Sequence, residues 1–293
     1  MTSPLSELAQ ATAHRARVAR YYRRTQWQYY GLWSGRKTLA LHYGYWDTGV
    51  RSHPQALLRL NQVLAERVGI RAGDRVLDAG CGWGGSSIWL AREKAAACTG
   101  VTLERHQARI GANMARRRGV RADFARADFT ALPFEDASFD VVWAVESVCH
   151  APDKTAFLRQ AARVLAPGGR LILADFFLAD DQANDEAAQR VADWVKLWAV
   201  PALAGLDAFA ASVRAAGFTE VDMRDETDAI RPAARRLYRI GLWTAPVALL
   251  FRLLRIHDQH AQGNWLSSLR QYRALRAGGW RYGIVSARKP VER

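Results

Sequence analysis

The sequence predicts an α/β fold in which a mostly parallel sheet carries helices on both faces and a helical cap. Two observations predict it. Between residues 70 and 180, short apolar runs alternate with helical stretches of about 10–15 residues, a rhythm that implies right-handed crossovers and parallel strands. The first apolar run ends in a glycine cluster, Gly80, Gly82, Gly84 and Gly85, and a helix follows. Parallel sheets receive ligands at such a carboxyl edge.

The elements follow in order. Residues 5–37 read as helix, and nine aromatic residues fall between Tyr21 and Trp46. A second helix, about 53–69, ends before the turn Arg71-Ala72-Gly73-Asp74. Arg75 to Asp78 reads as a strand, Ser86 to Lys94 as helix, Ala96 to Leu103 as strand and Arg105 to Arg118 as helix. Phe139 to Ala144 is a strand, Lys154 to Leu165 a helix, and Arg170 to Ala174 a strand entered through Pro167-Gly168-Gly169. After residue 178 the rhythm breaks. Asp185 to Val200 reads as an inserted helix rich in tryptophan, Leu206 to Gly217 resumes the core, and Thr219 to Met223 is a strand. Residues 230–277 form a long helical insertion, basic and apolar, before a last strand at Trp280 to Arg288. The expected organisation is one domain over 1–293: an aromatic helical cap at 1–50, a core at 51–178, and further core at 179–293 with cap insertions at about 179–205 and 230–277.

Hydrophobic residues make up 49% of the chain and charged residues 24%, proportions that exclude long disorder. Cys81, Cys98 and Cys149 are too few and scattered for a disulfide framework or a zinc site, so reduced thiols in a cytoplasmic protein are expected. The first residues lack the apolar run of a secretory signal. The most apolar window, Gly241 to Phe251, is too short to span a bilayer and contains Pro246. The net charge of +14 is unevenly spread. Residues 231–293 hold 13 Lys/Arg against Asp258 and Glu292, and residues 1–50 hold seven against Glu7 and Asp47, so the middle is slightly acidic. Basic ends suit nucleic acid, an anionic membrane surface or an anionic substrate, or simply reflect an arginine-rich solvated surface. No RNA-binding module is visible, and nucleic acid is not an expected partner.

The glycine loop defines a nucleoside site. Glycines let the chain turn tightly and let a ligand lie against bare backbone, and the next helix offers unpaired N–H groups to an anion. A G-x-G-x-x-G alone is weak evidence, since dinucleotide enzymes share it. Here the spacing is G-x-G-x-G with Asp78 just before it. A carboxylate at that strand tip repels a pyrophosphate but pairs with the ammonium of an amino acid, which favours S-adenosylmethionine over NAD.

The run Asp78 to Gly85 resembles motif I of the Rossmann-like methyltransferases. Ala127-Asp128-Phe129 before Leu132-Pro133-Phe134 resembles the adenine-binding segment of that family, and Ser138 to Val142 and Val164 to Gly169 resemble its later motifs. The resemblance spans roughly 70–180 and implies a Rossmann-like, mostly parallel seven-stranded sheet, S-adenosylmethionine as cofactor, Asp78, Gly80 and Gly82 around its amino acid, and Asp128 and Phe129 at its adenine. One departure stands out. Thr102, with Glu104 two residues on, replaces the acidic residue that the family often places at the second strand tip. That variant, with Gln107 following, resembles the sterol, tocopherol and cyclopropane-lipid branch and implies ribose contacts from Thr102 and Gln107.

The acceptor is read from Trp143 to Pro152, at the end of the strand-like segment Phe139 to Ala144, where Glu146 and His150 resemble the Glu-x-x-x-His segment of sterol and other isoprenoid C-methyltransferases. The segment His42-Tyr43-Gly44-Tyr45-Trp46 resembles the aromatic substrate segment of the same enzymes. Methylating an alkene carbon creates a cation and then releases a proton, which calls for a base and for π faces. Glu146, also a candidate cofactor contact, and His150 are candidates for the base, with Tyr43 beside them as a catalytic candidate; structural roles for each remain open. Tyr22, Tyr45, Trp46, Trp198 and Tyr238 are the candidate acceptor-binding residues. The expectation is C-methylation of a lipophilic isoprenoid, a prenyl diphosphate or a sterol-like alkene. Methylation of a phenolic or amine natural product at O, N or ring carbon is the alternative, and a non-catalytic cofactor-binding module a third reading. Arg231, Arg235, Arg236, Arg239, Arg252 and Arg255 flank or interrupt the apolar stretch Leu237–Leu254, a pattern that suits either a diphosphate head or a helix lying on anionic lipid. Mg2+ is expected only with a diphosphate acceptor, and no resident metal site is expected.

Overall fold

The computed structural model describes residues 4–34, 38–179, 185–253 and 259–291. One sheet holds β1 (Arg75–Ala79), β2 (Ala97–Thr102), β3 (Ala122–Arg126), β4 (Phe139–Val145), β5 (Leu165–Leu178), β6 (Thr219–Asp225) and β7 (Trp280–Arg288), in the order β3-β2-β1-β4-β5-β7-β6. Neighbours from β3 through β5 are parallel, and β7 is antiparallel to both β5 and β6. Strand order reverses between β1 and β4, so their carboxyl ends flank the crevice where such sheets take up ligands. The helices are α1 (Pro4–Gln28), α2 (His53–Val68), α3 (Gly85–Glu93), α4 (Arg105–Arg118), α5 (Lys154–Val164), α6 (Asp185–Val195), α7 (Leu206–Ala215), α8 (Thr227–Leu253) and α9 (Gln259–Arg276).

Successive side chains on a strand point to opposite faces, and this sorts the core into two layers. Val76, Val141, Trp143, Ile172 and Ile284 lie in one layer with Leu60, Leu64, Trp89 and Trp194 of α2, α3 and α6. Leu77, Val142, Ala144, Leu173 and Val285 lie in the other with Phe157, Leu158 and Phe209 of α5 and α7. Burial on both faces explains why the central strands are continuous apolar runs. Local signals close the helices: Gly69 ends α2 in the left-handed conformation, and the Asp153 carboxylate caps α5 by accepting from the Thr155 N–H at 2.8 Å.

Three elements differ from the sequence reading. β3 has no continuous apolar run: Ala122-Asp123-Phe124-Ala125-Arg126 is a partly exposed edge strand whose inward side is only Ala122 and Phe124, too short an alternation to read as a strand. β5 starts at Leu165, not Arg170, because an irregularity absorbs Pro167-Gly168-Gly169; Leu165 pairs with Phe139 and Arg170 with Val141. The insertion at 230–277 divides into α8 and α9, which approach so closely that a Cβ on Gly241 would lie 2.2 Å from Ser268 Oγ. α1 crosses the carboxyl edge of the sheet, and its Tyr21 hydroxyl donates to Asn264 Oδ1 of α9 at 2.7 Å. No helix of the described residues is long and apolar enough to cross a membrane.

Candidate active site

A cavity of about 340 Å³ lies at the carboxyl ends of β1, β2 and β4. The strand ends contribute Asp78, Gly80, Gly82, Thr102, Glu146 and Ser147; α1 contributes His14, Arg15, Val18 and Tyr22; Phe176, Trp198 and Leu237 close another side. The glycine loop owes its path to Gly80 and Gly82, whose φ values are +93° and +52°. A Cβ on Gly80 would sit 2.3 Å from Ser147 Cβ, and one on Gly82 2.8 Å from Leu41 Cδ1. The Gly80 and Cys81 N–H groups both donate to the Val101 carbonyl, at 2.9 and 3.0 Å, and fasten the loop to β2.

The polar groups along this half of the cavity fit S-adenosylmethionine. Asp78 is buried, and burial pushes its carboxyl up to about 6, although the Ser87 hydroxyl donates to it at 2.5 Å. No cation pairs with it among the described residues, so an incoming ammonium would restore its charged form. Gln107 is also buried. Its Oε1 accepts from the Thr102 hydroxyl at 2.8 Å, while its Nε2 donors have no partner among the described residues. A buried amide N–H without a partner is costly, and a ligand hydroxyl would satisfy it. Thr102 therefore orients Gln107. Glu104, absent from the sequence-based candidates, lines the same wall and caps α4 by accepting from Gln107 N at 2.9 Å. Asp128 Oδ1 accepts from Thr130 N and Oγ1 at 2.8 and 2.7 Å, and Arg15 Nε lies 2.5 Å from Asp128 Oδ2. Phe129 lines the cavity beside it.

The other half holds the candidate catalytic groups. Glu146 has φ of +49°, a strained value for a residue with a Cβ. Its Oε1 accepts from the Tyr43 N–H at 2.7 Å and from the Tyr282 hydroxyl at 2.9 Å. Burial outweighs these bonds and pushes the carboxyl up to about 8. Burial brings the His150 imidazole down to about 4, so it is neutral near pH 7. Its Nδ1 lies 3.4 Å from the Ala199 carbonyl, which can only accept, so Nδ1 carries the proton and Nε2 is the bare nitrogen. Tyr22 Oη, 2.9 Å away, donates to that Nε2. His14 Nε2 sits 2.8 Å from the His150 carbonyl, and this contact holds α1 over the site. Tyr43 is buried, donates to Gln271 Oε1 at 3.0 Å, and meets Phe176 edge-on at 5.5 Å between ring centres. Trp198 completes the aromatic wall.

Three candidate acceptor contacts lie elsewhere. Tyr45, Trp46 and Tyr238 are not among the residues lining the cavity. Gly44 packs on Ala56, and the Tyr45 N–H donates to the Ala56 carbonyl at 2.9 Å, so the chain leaves the cavity after Tyr43. Tyr45 Oη donates to Glu226 at 2.9 Å, the Trp46 N–H donates to the Ala229 carbonyl at 2.8 Å, and Tyr238 packs on Tyr272 with ring centres 5.2 Å apart. Arg231, Arg235, Arg236 and Arg239 are exposed and do not line the cavity, whereas Leu237 of the same helix does. The side chain of Arg252 and all of Arg255 lie outside the described residues. Among the described lining residues the one guanidinium is that of Arg15, already paired with Asp128. Sequence reasoning missed His14, Val18, Tyr21 and Tyr29, although their spacing places them on one face of a helical segment.

A methyltransferase-domain family profile matches residues 77–173. Over 255 residues the chain is 38% identical to the 27-O-demethylrifamycin SV methyltransferase of Amycolatopsis mediterranei (strain S699), covering 85% of this chain and 90% of that protein. It is 29% identical over 299 residues to the chloroplastic tocopherol O-methyltransferase of Arabidopsis thaliana, covering 95% and 83% of the two chains. The crystal structure of the (4+2)-cyclase SpnF resembles it with a TM-score of 0.76 at 29% identity, over 94% of this chain and 96% of that one.

Proposed function

Because this chain belongs to the class I S-adenosylmethionine-dependent methyltransferases, we propose that it methylates a hydroxyl oxygen of a neutral, lipophilic acceptor, with His150 as the base. The observation that carries this reading is the imidazole: neutral, with Nε2 aimed at Tyr22 Oη on the cavity wall. Asp78 would hold the ammonium of the cofactor, Gln107 and Glu104 its ribose hydroxyls, and Asp128 with Phe129 its adenine. When bound, S-adenosylmethionine supplies a methyl group on a positively charged sulfur. An acceptor hydroxyl that donates to Tyr22 Oη loses its proton as Tyr22 passes its own to His150 Nε2. Trp198, Phe176 and Tyr43 exclude water and align an apolar body, and alignment is the larger part of catalysis in a direct transfer. The name of the Amycolatopsis relative describes methylation at oxygen, which supports the same outcome here.

A second reading, C-methylation of an isoprenoid alkene, is favoured by Glu146, whose carboxyl lines the same cavity as Tyr43 and Phe176. The outward arginines of α8 make a neutral isoprenoid a better fit than a prenyl diphosphate under that reading. Labelled cofactor with a panel of macrocyclic and phenolic alcohols, prenylated quinols, sterols and prenyl diphosphates, followed by NMR of the product, separates the two. A methoxy product is expected; a new carbon-bound methyl overturns the first reading in favour of the second. His150→Ala should lower kcat by about 10²–10⁴-fold, with cofactor affinity by titration calorimetry unchanged.

A further inference from the structure

The surface of α8 changes character along its axis. Arg231, Arg235, Arg236 and Arg239 are exposed on its first half. Arg231 pairs with Asp228, and the other three have no acidic partner among the described residues. The second half exposes Leu242, Trp243, Val247, Leu249, Leu250 and Leu253, with Trp243 84% and Leu253 79% accessible. Helix packing explains where the change begins. Gly241 is the close contact with α9, and its carbonyl accepts from Trp265 Nε1 at 2.8 Å; beyond it the outer face of α8 carries these apolar residues into solvent.

We propose that the outer half of α8 inserts into one leaflet of an anionic membrane, with the arginines at the level of the lipid phosphates. Dimensions agree. Leu242 to Leu253 rises about 16 Å at roughly 1.5 Å per residue, close to half of the ~30 Å hydrocarbon core. Charge agrees as well. Guanidinium groups bind phosphate oxygens in pairs, and four arginines precede the exposed apolar residues, with Arg252 the one charged residue among them. A second copy of this chain is a poorer occupant, because it would bring arginines without acidic partners against its own arginines or leucines. The same helix reaches the cavity through Leu237 on its inner side. The membrane face and the acceptor cavity therefore share one element, whatever the acceptor.

Flotation with vesicles tests this. The full chain is mixed with vesicles of phosphatidylcholine alone, or of phosphatidylcholine with phosphatidylglycerol. It should float with the anionic vesicles. Trp243→Glu and Leu250→Glu should weaken that by at least about tenfold, and Arg235→Glu with Arg239→Glu should abolish the preference for anionic lipid. Unchanged S-adenosylmethionine binding by calorimetry establishes that each variant is folded. The proposal is overturned if the wild type floats with neither vesicle, or if Trp243→Glu floats as well as wild type. It is equally overturned if sedimentation equilibrium shows a dimer that Trp243→Glu dissociates while no vesicle binds.

Discussion

Glu146 shows how much a single position can hold. The residue sits in a left-handed conformation that a side chain disfavours, its carboxyl is buried, and it joins Tyr43 of the cap segment to Tyr282 of β7. Its carboxyl titrates at about 8 in the fold against an ordinary 4.5. Between those values the folded state holds a proton that the unfolded state has released, so stability is lost as pH rises through that window. Glu146→Gln keeps both acceptor contacts without the charge. The variant should melt like wild type below pH 4.5 and be more stable above pH 8, by up to roughly 5 kcal/mol, in cofactor-free thermal melts across pH. Equal stability at every pH would mean that the carboxylate is ionised at no cost. Asp78 and Glu146 were legible in the sequence because they stand at the ends of apolar strand-like runs, where the fold class dictates a ligand edge, whereas Asp128 and His150 were legible only through the resemblance of their segments to the methyltransferase family. Tyr45 and Trp46 were misplaced because an aromatic run reads as one surface, and only the contact of Gly44 with Ala56 shows that the chain turns away.

At the scale of elements, the glycine loop and α1 build the cofactor end from opposite sides. The loop was legible from its spacing. α1 was legible as a helix, but its role over the sheet was not, since helical periodicity shows which residues share a face and not what that face meets. Arg15 on Asp128, Tyr22 on His150 and His14 on the His150 carbonyl are contacts of high sequence separation that no local pattern encodes. Gly82→Val tests the seam between these parts. The new side chain would require a strained φ and would push on Leu41. Affinity for S-adenosylmethionine in calorimetry should fall by at least about tenfold, near 1.4 kcal/mol, with circular dichroism unchanged. Unaltered affinity would remove the loop from the cofactor site. β3 escaped the sequence reading for a related reason: its inward side is only Ala122 and Phe124, and the helices they pack against are not read from so short an alternation.

Across the whole molecule, buried ionisable groups of two kinds oppose each other. His42, His53 and His150 are each brought down to about 4 by burial, whereas Asp78 and Glu146 are raised. As pH falls from about 6.5 to 4, the unfolded chain protonates its histidines before the fold does and stability is lost; the buried carboxyls act in the other direction over part of that range. His53 separates the two effects, because it lies outside the cavity, edge-on to Trp33 at 4.3 Å, with neither ring nitrogen bonded among the described residues. His53→Phe should leave stability near pH 7.5 unchanged within about 1 kcal/mol and raise it at pH 4 by roughly 1–3 kcal/mol relative to wild type, as read from denaturant melts. A parallel shift at both pH values would show that packing alone had changed.

β7 lies inside the sheet between β5 and β6, although it follows both in the chain by way of α8 and α9. A ribosome therefore releases every other strand first. Until Trp280–Arg288 emerges, β5 and β6 face a missing neighbour, and Glu146 lacks the Tyr282 hydroxyl. At about 5–20 residues per second, the stretch from β6 to the end of β7 takes several seconds to make. For that interval the nascent chain presents unpaired backbone on the two strands that β7 will join, a substrate for chaperones and for premature pairing with neighbouring chains.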